Sequence, residues 1–158
     1  MIKRYILGIK ALYGCFIFYF VGDKTMKTIL ISTSKTVSVV DKSFTDIQTH
    51  YPYQMVEMVR CKNLPAGLVM LADEEGNFQE EPKENSLATY LWGHNGKIVG
   101  DVFIVSIQNR SNDFSGLKNR DIPKVMDVIL DKYRHKVDGV KIDEVTLKAF
   151  FGKAEPEK

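Results

Sequence analysis

Three histidines, His50, His94 and His135, and two cysteines, Cys15 and Cys61, are the side chains of this sequence best suited to act as bases, nucleophiles or soft metal ligands. None has a Cys, His or carboxylate partner at metal-ligand spacing, and a zinc site needs three or four convergent ligands. His94, in Gly93-His94-Asn95-Gly96, would serve as a general base only if folding brought it to an orienting acid such as Asp101. Cys61 stands between Arg60 and Lys62, whose charges would favour a thiolate if the group were exposed, yet no histidine base is recognisable beside it. The two cysteines read as reduced thiols of a cytosolic protein. Gly93, Gly96 and Gly100 do not form a phosphate loop, because no Lys-Ser/Thr follows them and no helix starts there.

Two other groups of residues bear on binding. Asp73, Glu74, Glu75, Glu80, Glu81 and Glu84 make an acidic segment whose spacing fits neither an EF-hand loop nor another regular cage. It reads as a solvated loop, with a sticky patch for a basic partner as the functional alternative. Tyr51, Tyr53, Tyr90 and Trp92 are of the types that anchor interfaces or stack on a base, and Arg60, Lys62 and Lys97 could supply cations beside them. The competing reading of the aromatics is ordinary core and rim.

The chain of 158 residues has room for one ordinary domain with a tail at either end. Its 44% hydrophobic and 27% charged residues are those of a globular protein. A formal charge of +2, from 22 basic and 20 acidic residues, lacks the basic excess of a strong nucleic-acid binder. Residues 1–25 stand apart. The apolar run from Ala11 to Val21 is short for a membrane span and extends back to Tyr5 only by including Lys10. No small-x-small cleavage site follows it. Met26-Lys27-Thr28-Ile29-Leu30-Ile31 reads like a natural start, so residues 1–25 read as an extension from a misassigned start, with a membrane anchor or a secretory signal as alternatives.

From Met26 the pattern predicts alternating short elements. Thr28–Ser32 and the valines at 37, 39 and 40 read as strands; Ser43 with Asp46 is a capping box opening a short helix that Pro52 stops. Met55–Arg60 and Leu68–Leu71 read as strands, separated by a turn at 63–67. Gly76 is expected to supply positive φ in the acidic turn. Asn85 or Ser86 caps a short helix carrying Leu87, Tyr90 and Leu91, and Asn95-Gly96 signals a hairpin. Ile98–Ile107 is expected to be the longest and most central strand, with Gly100 marking a bulge or close backbone approach. Ile122, Val125, Met126, Ile129, Leu130 and Tyr133 form one apolar helical stripe, with Asp121 as N-cap and Pro123 just inside. Residues 140–151 fit either a strand or a further helix.

An ordered set of segments goes beyond such patterning: Ser43–Gln48, Tyr53–Glu57, Ala72–Gly76, Asn85–Gly93 and Ile98–Val102. In that order they resemble a small domain-of-unknown-function family common in bacteriophages, prophages and mobile elements, with a pattern near LQ…VGGYIE…DEEG…LPxNxxAT…IVGD. The resemblance covers Met26 to Ser106. The family's glycine pair is Tyr51-Pro52 here, and its Leu-Pro is Lys83-Glu84, so the loop at Tyr51 takes a backbone of its own. The resemblance implies a viral or mobile-element accessory protein and no particular catalytic residue.

The resulting expectation is an α+β protein: a small mixed or antiparallel sheet, a few short helices and one longer amphipathic C-terminal helix. Residues 26–137 would form the domain, flanked by 1–25 and 138–158. Its expected role is a non-enzymatic binding module of the host cytoplasm, for a host protein or a small nucleotide-like ligand, with no cofactor and no metal. The expected contact set is Tyr53, Arg60, Asn85, Thr89, Tyr90, Trp92, His94 and Asp101. A membrane-tethered accessory protein, if residues 1–21 are translated, and a small enzyme using His94 or Cys61 are the alternatives; a homo-oligomer is left open, and nucleic acid is not expected. No reactive group is expected to be held by a helper.

Overall fold

The computed structural model describes residues 24–108 and 114–136, together with two-residue strands at 9–10, 16–17 and 141–142. Strands β1 (Ile9–Lys10) and β2 (Phe16–Ile17) pair antiparallel. The rest of the apolar run at 11–21 lies outside the described residues, as do Cys15 and most of 140–151. Among the described residues no helix is long and apolar enough to cross a membrane.

Strands β3 (Met26–Ile31) and β4 (Thr36–Lys42) form a hairpin from Met26↔Lys42 to Ile31↔Val37. Its turn places Lys35 at φ 64°. Helix α1 (Phe44–His50) starts with the expected capping box: the Asp46 N–H donates to Ser43 Oγ and the Ser43 N–H to Asp46 Oδ2. Phe44 and Ile47, three residues apart, share its buried face. Strands β5 (Val56–Val59) and β6 (Leu68–Asp73) follow, then a 3-10 turn at Gly76–Phe78 and helix α2 (Ser86–Trp92). Strands β7 (Val102–Ile107) and β8 (Phe114–Ser115), helix α3 (Asp121–Lys136) and strand β9 (Lys141–Ile142) complete the order.

The larger sheet runs β5-β6-β7-β3-β4-β9, with β8 paired to the end of β7. Its pairings are antiparallel except β4 with β9, so the sheet is mixed and the fold is α+β. Strands alternate their side chains between two faces. Met70, Val102 and Ile104 point into one core with Leu87, Ala88 and Leu91 of α2 and Val125, Met126 and Ile129 of α3. Val69, Leu71, Phe103 and Val105 point into another, beneath Phe44, Ile47 and Tyr51. Strands β6 and β7 are buried on both faces, which is why they read as continuous apolar runs rather than alternating ones. The stripe Ile122–Ile129 docks on the sheet as its spacing predicts; the Tyr133 and His135 side chains lie outside the described set.

Four local readings are corrected. The stretch from Ile98 to Ile107 is not one strand: Ile98 and Gly100 bond to Asn85 and Lys83 instead, and the chain turns at Gly100, φ 81°, before β7 begins. Asn95-Gly96 makes no hairpin, because α2 runs to Trp92 and closes on Gly93 in the left-handed region, φ 73°. Gly76 is absent from the positive-φ glycines; a Cβ there would sit 3.2 Å from the Val99 carbonyl oxygen, so close packing selects it. Asp121 lies inside the first turn of α3, where its carboxylate accepts the Lys118 N–H three residues back.

Candidate functional site

The C-terminal end of α1 and the ends of β3, β6 and the approach to β7 meet around an open cleft of about 280 Å³. The capping box fixes where α1 begins, and seven residues later His50 occupies its last position, where the helix dipole favours a basic group. The His50 ring stands edge-on to Phe103, centroids 5.2 Å apart, and to Tyr51 at 5.4 Å. Asp101, just ahead of β7, faces it. His50 Nε2 lies 2.9 Å from Asp101 Oδ2. An ionised carboxylate can only accept, so Nε2 carries the proton. Asp101 Oδ1 accepts the Thr33 backbone N–H at 2.9 Å, which fixes the carboxylate from the β3–β4 turn. A histidine held by an acid on an open cleft overturns the expectation that no reactive group is held by a helper.

The cleft floor is equally constrained. Asp73, 6% exposed, accepts the Glu75 N–H at 3.1 Å and Gln79 Nε2 at 2.7 Å. Tyr51 lies buried with its hydroxyl donating to the Asp101 carbonyl at 2.8 Å, and with the Leu71 carbonyl at 3.3 Å. Burial pushes its phenol well above the ordinary value, and the charges of Asp73 and Asp101 push it further. Tyr51 is therefore a neutral donor that locks the loop after α1; Pro52, Gln79, Glu81 and Lys83 complete the rim.

A family model described as Domain of unknown function (DUF3846) matches residues 26–130. The chain belongs to the DUF3846 family. Comparison with the curated proteins and with the solved structures finds no match. The match reaches into α3, whereas the resemblance read from motifs stopped at Ser106.

Within this DUF3846 domain the expected contact residues separate into four groups. Asp101 lines the cleft. Asn85 and Thr89 brace it from behind. Asn85, 1% exposed, caps α2 by accepting the Ala88 N–H, and its Nδ2 donates to the carbonyls of Ile31 and Gly100, each at 3.0 Å. Thr89 Oγ1 accepts the Ile98 N–H at 2.9 Å. The motif Asn85-x-x-Ala88-Thr89 thus holds the turn that aims Asp101. Arg60, Tyr90, Trp92 and His94 do not line the cleft: Trp92 and Tyr90 pack against the α2–α3 core, and His94 tilts over Trp92 with centroids 5.5 Å apart. His50, not His94, meets Asp101. Tyr53, 62% exposed, directly follows Pro52 of the rim.

Cys61 is not an activated nucleophile. Burial pushes its thiol up to about 12. At neutral pH its thiolate fraction is then on the order of a thousandfold below that of a free cysteine. In a Cys15→Ser background, Cys61 should react with a disulfide reagent far more slowly in native protein than in denatured protein. Equal rates would contradict the burial.

Glu57, on edge strand β5, has its carboxyl raised from 4.5, first by desolvation and then by the charges of Glu74 and Asp73. A raised acid binds its proton more tightly when folded, so its charged form destabilises the protein as pH climbs above the unfolded value. Glu57→Gln should therefore stabilise the protein at pH 7 by no more than a few tenths of a kcal/mol at this solvent-screened edge, read as a slightly higher Tm. The gain should vanish once the solution is acidic enough to protonate Glu57 in both states. Among the described residues no three His, Cys, Asp or Glu side chains are placed to hold a metal.

Proposed function

We propose that this DUF3846 domain is a non-enzymatic binding module, an accessory protein of a phage or another mobile element, and that the His50–Asp101 cleft is its ligand seat. One observation carries the reading. The Thr33 backbone N–H of the β3–β4 turn and polar side chains from the end of α1, the end of β6, the 79–83 segment and the approach to β7 converge on one cleft, with the His50–Asp101 pair already hydrogen-bonded. Pre-organised polar groups around a concavity are what ligand sites share. The ordered motifs that resemble phage and mobile-element proteins support the biological setting, and a host protein or a small nucleotide-like molecule is the ligand class this setting suggests. The cleft narrows that choice. Asp73, Glu81 and Asp101 outnumber Lys83 and His50 around it, which disfavours a phosphate group.

A second reading, a hydrolytic enzyme, is favoured by the His50–Asp101 pair itself, since an acid that orients an imidazole is how general bases are held. It ranks second because, among the described residues, no hydroxyl or thiol is hydrogen-bonded to His50.

Amide shift mapping of the full chain against a small-fragment mixture tests the proposal. Saturable shifts should centre on Thr33, Gln79 and Gly100 and disappear in His50→Ala. Shifts spread without preference for these amides would contradict it. Hydrolysis of p-nitrophenyl acetate that depends on His50 would replace it with the second reading.

A further inference from the structure

The cleft does not lie in a neutral surface. Two of its lining carboxylates, Asp73 and Glu81, belong to the acidic segment that begins at Asp73, Asp101 adds a third, and Glu80 stands exposed beside Glu81. Lys83 sets one positive charge on the rim against the carboxylates of Asp73, Glu81 and Asp101 and the exposed Glu80, and the nearby Lys97 is 3.4 Å from Glu84. The field at the mouth is thus negative, although the whole chain is slightly basic. Such a local field draws in cations and steers basic partners.

A second, independent feature belongs to the chain segments that flank the cleft. Among the described residues the large hydrophobic side chains left exposed are Tyr53 at 62% and Phe78 at 79%. Each adjoins a lining residue in the chain: Tyr53 follows Pro52, and Phe78 precedes Gln79. The two segments are joined, because the Glu74 N–H donates to the Met55 carbonyl at 3.2 Å. Two aromatic rings in water next to an acidic concavity suit a cation with a flat or apolar face. Guanidinium is such a cation: it forks onto carboxylates and stacks on rings, while a compact ammonium does only part of this.

We infer that the occupant of the cleft is an arginine side chain presented by a basic segment of a protein partner, with Asp101 and Glu81 facing the guanidinium and Tyr53 and Phe78 gripping the flanking segment. The inference rests on the cleft being the ligand seat and names what fills it. The aromatic lips would act as interface anchors, where Tyr and other aromatics concentrate binding energy.

The test uses the full chain, capped tripeptides Gly-Arg-Gly, Gly-Lys-Gly and Gly-citrulline-Gly, and adenosine monophosphate, read by amide shifts. The arginine peptide should shift Thr33, Gln79 and Gly100 saturably, more tightly than the lysine peptide, and the citrulline peptide should not bind. Affinity should fall as salt rises from about 0.05 M to about 0.5 M. Glu81→Gln, Tyr53→Ala and Phe78→Ala change exposed residues, so each should fold normally; each aromatic substitution should weaken the arginine peptide about two- to fivefold. Equal binding of citrulline and arginine would overturn the inference, because charge would not be read. Binding of the nucleotide but not of arginine would overturn it while leaving the cleft as the ligand seat. No cleft shift with any probe would remove both readings.

Discussion

Phe103→Ala is expected to destabilise the protein by about 3–5 kcal/mol, the usual cost of emptying a fully buried aromatic site. Phe103 is 0% exposed near the start of β7, paired with Leu30 of β3 on one side and Leu71 of β6 on the other. Its ring is also the wall against which His50 and Tyr51 stand, with centroids at 5.2 and 6.2 Å. The cavity therefore opens directly under the candidate site. Denaturant unfolding should show the loss. Phe103→Leu, which keeps most of the volume, should lose less stability but still free the His50 ring, so ligand affinity should drop more than stability does.

Asn85→Ala is expected to cost about 2–4 kcal/mol, combining a lost N-cap with the buried Ile31 carbonyl and the half-buried Gly100 carbonyl left without this donor. Its one side chain serves α2, β3 and the Gly100 turn together. Asn85→Asp separates the two roles. It keeps the acceptor for Ala88 but sets a buried negative charge against the carbonyls of Ile31 and Gly100, which is costly. It should be at least as damaging as alanine when unfolding is measured at neutral pH. An aspartate variant close to wild-type stability would mean that only the cap matters and that the Gly100 turn needs no staple.

Local chemistry in this chain is legible from local sequence. Ser43 and Asp46 are three residues apart, so their reciprocal bonds can be read without knowing the fold. The same holds for a cap at Asn85 or Ser86, which the structure places on Asn85, and for the α3 stripe, whose members from Ile122 to Ile129 meet the sheet at helical spacing. Buried strands β6 and β7 announce themselves as apolar runs. The candidate site is of another kind. His50 and Asp101 are 51 positions apart and meet because β3 lies beside β7 while α1 lies across Phe103. No spacing rule encodes that meeting, and the proximity of His94 to Asp101 in sequence pointed to the wrong histidine. A usable signal was present: a capping box at Ser43 and the stop at Pro52 place His50 at the end of a helix, where a basic residue is favoured. The Asn85-x-x-Ala88-Thr89 segment carries a role that spacing alone does not show. Its polar side chains suggested contact with a ligand, whereas they are spent on backbone groups that shape the approach to Asp101. Gly76 shows a third limit, since its selection by the carbonyl of Val99 depends on packing between distant segments.

The most direct measurement is the imidazole spectrum of His50 in the full chain, recorded free and with the capped arginine peptide. A single tautomer with its proton on Nε2, a proton signal slow to exchange with water, loss of that signal in Asp101→Ala and a shift on adding the peptide are the predicted results. An imidazole that averages freely between tautomers, ignores replacement of Asp101 and does not respond to the peptide would contradict the account.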